Sequence, residues 1–140
     1  MGRIGQYCFA WFPMVLLAIF NAAIRENIFT KTFDELASHQ LSSVTFMLIL
    51  LVYFLFIMSY LPLENANQAI YIGAVWVSMT VCFEFLFGHF VMGHSWNHLL
   101  HDYNLIEGRL WGLVLVFVAV GPYVIHEVLY GEDEDHSQKT

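Results

Sequence analysis

Cys82-Phe-Glu-Phe-Leu-Phe-Gly-His89-Phe-Val-Met-Gly-His94-Ser-Trp-Asn-His-Leu-Leu-His-Asp-Tyr-Asn104-Leu-Ile-Glu-Gly-Arg109-Leu-Trp111 is the stretch that decides the fold of this chain. It begins inside an apolar run, leaves it through glycines and histidines, and turns back at an arginine into another apolar run. A hydrocarbon layer of about 30 Å takes roughly 20 helical residues to cross, and both runs have that reach. The polar middle is therefore a connection outside the membrane between two spans, and it concentrates most of the unusual chemistry of the chain.

The rest of the composition agrees. Of 140 residues, 59% are hydrophobic and only 12% charged, far from the balance of a soluble domain. The 13 Phe, 7 Tyr and 4 Trp are explained by interface anchoring and membrane packing, without a cofactor box. A net charge of -7 does not suit nucleic acid, and part of the excess sits in Gly131-Glu-Asp-Glu-Asp-His136. The expected organisation is a single transmembrane helical domain over residues 1–130 followed by an acidic, solvated tail over 131–140. Cys8 and Cys82 both stand in apolar helical contexts, which does not suggest a disulfide framework. The first apolar run resembles a signal peptide at its start but continues too long and lacks a small-residue cleavage site, so it is expected to be a retained helix. Gln6 stands where a myristoylation signal expects Ser or Thr.

Four spans follow from the apolar runs: about Phe9 to Ile28, Phe46 to Leu61, Ala69 onward through Glu84, and Arg109 to Leu129. The spacing of Thr32-Phe-Asp-Glu35 is that of a capping box and predicts a short interfacial helix before the second span. Ala74 and Ser78 form a small-xxx-small pair suited to close helix contact, and Pro122 predicts a local bend in the fourth span. The fold class expected is an all-α membrane protein, a four-transmembrane-helix bundle with a short interfacial helix between the third and fourth spans. Four crossings leave both termini on one side.

That parity sorts the polar residues. Arg25, Glu26, His39, Gln40, Glu84, His89, residues 94–104 and Arg109 approach the side opposite the termini, whereas His126 and Glu127 approach the terminal side. At about 1.5 Å per residue, Arg25 lies roughly 21 Å from Trp11 and Glu84 roughly 22 Å from Ala69, so the two reach similar depths. A charge near a helix centre costs about 2.5–3.5 kcal/mol on insertion scales, which drives such groups to face the bundle and find partners. Arg25 and Glu84 are candidates for each other, and Arg109 for Glu84 or Glu26. The ligand-binding candidates are Arg25, Glu26, Glu84, His89, Asp102 and Arg109.

The connection has a pattern of its own. On a continuous helix His94, His98 and His101 form one stripe, with Trp96, Leu99, Leu100 and Tyr103 on the opposite, bundle-facing side. Three imidazoles at that spacing suit zinc, yet a helix capped by Ser95 leaves His94 outside it, and solvated histidines on an amphipathic helix are the preferred reading. No metal or cofactor is assigned. The one HxxxH, His94 to His98, lacks the internal Glu of a metalloprotease helix, and no nucleophile constellation or phosphate loop is present.

The segments Asn21-Ala22-Ala23-Ile24-Arg25-Glu26, His39-Gln40, Phe83-Glu84-Phe85, Phe87-Gly88-His89, Gly93, Ser95-Trp96, Leu99-Leu100, Asp102-Tyr103-Asn104 and Gly108-Arg109-Leu110-Trp111 resemble a family of small, uncharacterised bacterial and archaeal integral membrane proteins. The resemblance spans most of the chain apart from its ends and implies four transmembrane helices, with no function to carry over. The pattern leaves His94, His98 and His101 open, which shifts weight to the Arg, Glu and Asp candidates. The functional expectation is binding or transport of a small anionic or lipidic ligand, with Arg25 and Arg109 on an anionic group, Glu84 or Glu26 positioning them, and His89 exchanging protons. The competing expectations are an accessory subunit that recruits a membrane protein partner or a second copy, and a membrane-embedded enzyme. Membrane lipids are partners in each case. A prokaryotic cytoplasmic membrane with both termini in the cytoplasm is the expected location.

Overall fold

The computed structural model describes residues 2–138, and side chains as far as residue 131. The acidic side chains of the tail and Lys139 lie outside what it describes. Among the described residues, four helices are long and apolar enough to cross a membrane: α1 Arg3–Thr32, α2 Glu35–Tyr60, α3 Ala66–Val91, and α5, which runs Trp111–Gln138 with Trp111–Gly131 as its apolar span. The short α4, Trp96–His101, lies between α3 and α5. The chain is thus an all-α bundle of four membrane-length helices with a short helix between the third and fourth.

The helix starts are set by side chains that accept orphan backbone donors. Asp34 caps α2 by accepting from Ala37 N at 2.7 Å. This overturns the expected capping box at Thr32: Thr32 ends α1, α2 begins directly at Glu35, and no separate interfacial helix precedes it. A carboxylate two residues further on takes the cap in place of the threonine hydroxyl. Asn65 caps α3 through Gln68 N at 2.9 Å, while Gln68 Oε1 accepts from Glu64 N at 3.0 Å, a reciprocal exchange that makes the 61–65 connection tight.

The core is an aromatic and aliphatic seam of Tyr7, Trp11, Phe46, Leu50, Phe54, Met58, Trp76, Val114 and Val118. In hydrocarbon each polar tip needs a protein partner. Trp76 Nε1 donates to Tyr7 O at 2.8 Å, Tyr53 OH to Ala10 O at 2.6 Å, and Trp11 Nε1 to Thr80 Oγ1 at 3.0 Å. Tyr7 OH reaches Leu61 O and Tyr130 OH reaches Met58 O. Those last two bonds bring the start of α1 and the far part of α5 to the same end of the bundle, beside the 61–65 connection.

α3 and α5 share the most extensive helix contact, and the small residues that allow it are not the expected ones. Ala74 and Ser78 are exposed, whereas Ala69 and Gly73, the same spacing five residues earlier, are buried. A Cβ on Gly73 would stand 1.9 Å from Ala119 O, so only glycine permits the backbones to meet there.

At the other end of the bundle both α1 and α3 widen into a π-helical turn, Arg25–Phe29 and Phe87–Val91. Such turns shift the helix face that follows them and recur at functional sites. Gly93 and Gly108, the glycines with positive φ at 73° and 83°, bracket the connection that carries α4.

Candidate functional site

At the end of the bundle opposite the start of α1, the helices α1, α2 and α3, the 92–110 connection and the first residue of α5 line a partly open cavity of about 240 Å³. α1 contributes Asn21 and Arg25, one helical turn apart on one face, and α2 contributes His39, Ser42 and Ser43 by the same spacing. α3 brings Glu84, Phe85 and Gly88, the connection brings Leu99, Asp102 and Tyr103, and α5 brings Trp111. Of the six sequence candidates, Arg25, Glu84 and Asp102 line this cavity, whereas Glu26, His89 and Arg109 do not.

Glu84 is held by neutral donors. Tyr103 OH donates to Oε2 and Trp111 Nε1 donates to Oε1 at 2.9 Å, so each carboxylate oxygen has a partner. The tyrosine ring stacks on Phe85 and the indole on Phe46, which fixes both donors. Burial, and then the adjacent Glu84, push the Tyr103 hydroxyl well above the ordinary tyrosine range, which keeps it a donor. Arg25 therefore does not pair with Glu84 as the matched depths suggested. It bonds Glu26 beside it at 3.1 Å. Rise along the helix gives depth but not azimuth, and the aromatic donors of the connection fill the place at Glu84.

Arg109 is likewise engaged away from Glu84 and Glu26. Its guanidinium meets Glu35 at 2.8 Å and Asp102 at 3.6 Å, and Gln40 Nε2 donates to Gly108 O at 2.9 Å beside it. These contacts tie the return of the connection to the start of α2. His89 stacks on Trp96 with ring centroids 3.8 Å apart, and its Nδ1 lies 2.8 Å from His94 O.

α4 departs from the amphipathic face expected of it. Leu99 and Tyr103 are partly buried, but Trp96 is 45% and Leu100 55% exposed. Ser95 caps α4 through His98 N at 3.2 Å, which leaves His94 outside a six-residue helix too short to hold one continuous face. Leu99 is the residue that seats it, with its methyls against Gly88, where a Cβ would lie 2.6 Å away. His94 and His98 stack at 4.5 Å and His101 sits 3.3 Å from Glu107. Among the described residues no three His, Cys, Asp or Glu side chains come together as a metal-holding group.

Two residues of the cavity wall each carry a buried polar atom with no protein partner, Asn21 Oδ1 and His39 Nδ1. Asn21 is 3% and His39 6% exposed, so neither atom reaches open solvent. Asn21, His39, Ser42, Tyr103 and Trp111 are wall residues that sequence reasoning left out of the site. The signal was present only for Asn21, through its i,i+4 spacing to Arg25. His39 looked like an ordinary polar residue at a span entrance, and nothing in the sequence joins Tyr103 or Trp111 to Glu84.

No family model, curated protein or solved structure matches the chain, so the resemblance drawn from the sequence identifies no family.

Proposed function

We propose that this membrane protein binds a small lipidic or polar ligand in the cavity on the side opposite its termini. The observation that carries this reading is the pair of buried, unpartnered atoms on Asn21 and His39 in one cavity wall. A buried acceptor without a partner costs about 1–3 kcal/mol, and two in one cavity are best accounted for by an occupant that bonds both. Of the two arginines expected at the ligand, only Arg25 lines the cavity; Arg109 is engaged by Glu35 and Asp102. For orientation we propose termini in the cytoplasm of a prokaryotic membrane: Arg25 and Arg109 are taken up by carboxylates, which leaves Arg3 and Lys139 on the terminal side against Lys31 on the other.

The experiment is mass spectrometry of small molecules retained by gently purified wild type, Asn21→Leu and His39→Phe, with thermal unfolding as an independent measure of folding. A molecule retained by wild type and lost from both folded variants is the expected result. Unchanged content in folded variants would put the accessory-subunit reading ahead, with the Arg109, Glu35 and Asp102 contacts serving only to lock the connection.

A further inference from the structure

We infer that the ligand is a short-chain amphiphile whose polar end donates hydrogen bonds, as a hydroxyl or ammonium does, and whose apolar end enters a second chamber behind Glu84 and Trp111. This rests on the ligand-binding reading above and adds the chemical class.

The polar end follows from which atoms are left over. Asn21 Nδ2 donates to Ser42 O at 3.1 Å and to Ser42 Oγ at 2.8 Å. A backbone carbonyl can only accept, so the amide orientation is fixed and the unpartnered Asn21 Oδ1 is an acceptor. His39 Nε2 stands 3.5 Å from the Asp102 carboxylate, which favours the ring proton on that nitrogen and leaves the Nδ1 lone pair unpartnered. Formal charge points the same way. Arg25 is the one arginine in the wall and it already carries Glu26, while Asp102 is met by Arg109 from outside it. A carboxylate or phosphate ligand would meet two acceptors and no uncommitted arginine. A hydroxyl or ammonium would supply what both acceptors lack.

The apolar end follows from a second cavity of about 90 Å³, which shares Glu84 and Trp111 with the first and continues into the bundle between Met14, Phe46, Val114 and Val118. Its polar groups are already satisfied. Thr80 accepts from Trp11 Nε1, and the Glu84 oxygens hold Tyr103 and Trp111. A chamber with such a wall gives water too few partners, and at ~30 Å³ per water it has room for about three groups of that size. Alkyl groups gain from entering it. The two chambers together fall near the lower limit of ordinary ligand sites, roughly 300 Å³, which suits a short chain and not a whole lipid.

The test is titration calorimetry on the full chain in lipid nanodiscs, with empty nanodiscs subtracted, using hexanol, hexylamine and hexanoate and then amines of two to eight carbons. Hexanol and hexylamine should bind about tenfold or more tighter than hexanoate, the scale of one charged hydrogen bond gained or lost. Affinity should rise about fourfold per methylene while the inner chamber fills, then level off. Val114→Phe should abolish the length dependence and keep the preference among head groups; the milder Val114→Leu should bring the plateau earlier. Hexanoate binding tightest would overturn the donor assignment. An unchanged slope in folded Val114→Phe would place the chain in the bilayer and overturn the chamber. If no probe binds while wild type still retains a molecule that His39→Phe loses, this inference falls and the cavity stands as a binding site. If no probe binds and nothing is retained, both fall.

Discussion

Trp111 Nε1 donates to Glu84 Oε1 over 2.9 Å, joining the first residue of α5 to the last turns of α3 across the entire α4 connection. Tyr103 reaches the other carboxylate oxygen from inside the same connection. One carboxylate thereby closes two loops of backbone and fixes where the fourth span enters the bundle. The acid that looked like half of an interhelical salt bridge is instead the anchor of a lid of aromatic donors.

That arrangement predicts an unequal response to two substitutions at Glu84. Glu84→Gln keeps an acceptor for the indole and offers its amide N–H to the tyrosine oxygen, so its cost should be small. Glu84→Leu strands two part-buried donors, at about 1–3 kcal/mol each. Thermal unfolding in mild detergent should place Gln close to wild type and Leu well below both. Equal losses would mean that the contacts do not carry the anchoring.

Gly73 offers a sharper test of packing. Its alanine Cβ would sit 1.9 Å from a backbone carbonyl oxygen that has no flexible side chain to yield, so α3 and α5 must separate. Gly73→Ala should cost about 3 kcal/mol or more, in the range of severe overpacking, whereas Ala74→Val on the exposed face should change unfolding by about 0.5 kcal/mol or less. A well-folded Gly73→Ala of wild-type stability would contradict the close crossing.

Much of the fold was legible because length and hydropathy alone demand four spans, and parity alone sends the polar residues of α1, α3 and the connection to one end. The site was legible in depth but not in direction. Arg25 and Glu84 do reach similar levels, yet helical rise says nothing of azimuth, and the π-helical turns at Arg25–Phe29 and Phe87–Val91 change the faces that follow. The small-residue face was misplaced for a related reason: Ala69/Gly73 and Ala74/Ser78 have identical spacing, and only the position of α5 distinguishes them. Trp96 and Leu100 were assigned to a buried face because a ten-residue helix was assumed where Ser95 and Asp102 delimit six residues.

The start of α1 and the far part of α5 lie at the end of the bundle that holds the 61–65 connection, through the bonds of Tyr7 and Tyr130, and the membrane-length helices run from there to the end where Ile106 is 99% exposed. In a background without Cys8 and Cys82, Gly2→Cys and Glu64→Cys should react with a membrane-impermeant maleimide from one face of sealed vesicles, and Ile106→Cys from the other. Labelling of Gly2→Cys and Ile106→Cys from the same face would reject the four-span topology.

Tyr103 sets an alkaline limit on stability. A tyrosine ionises near pH 10 in an unfolded chain, while in the folded protein burial and the neighbouring Glu84 hold this hydroxyl protonated to higher pH. Because the folded value is the raised one, the contribution is fully present below about pH 10. It declines as pH rises toward the folded value, by up to about 1.4 kcal/mol per pH unit, since only the unfolded chain is then giving up its proton. Tyr103→Phe cannot show that decline and should also lose its bond to Glu84. Unfolding between pH 8 and 11.5 should therefore find wild type the more stable near neutrality, with its advantage shrinking steadily above pH 10. A constant difference between the two proteins across that range would mean that the hydroxyl titrates no differently once folded, and that its bond to Glu84 is too weak to hold the proton.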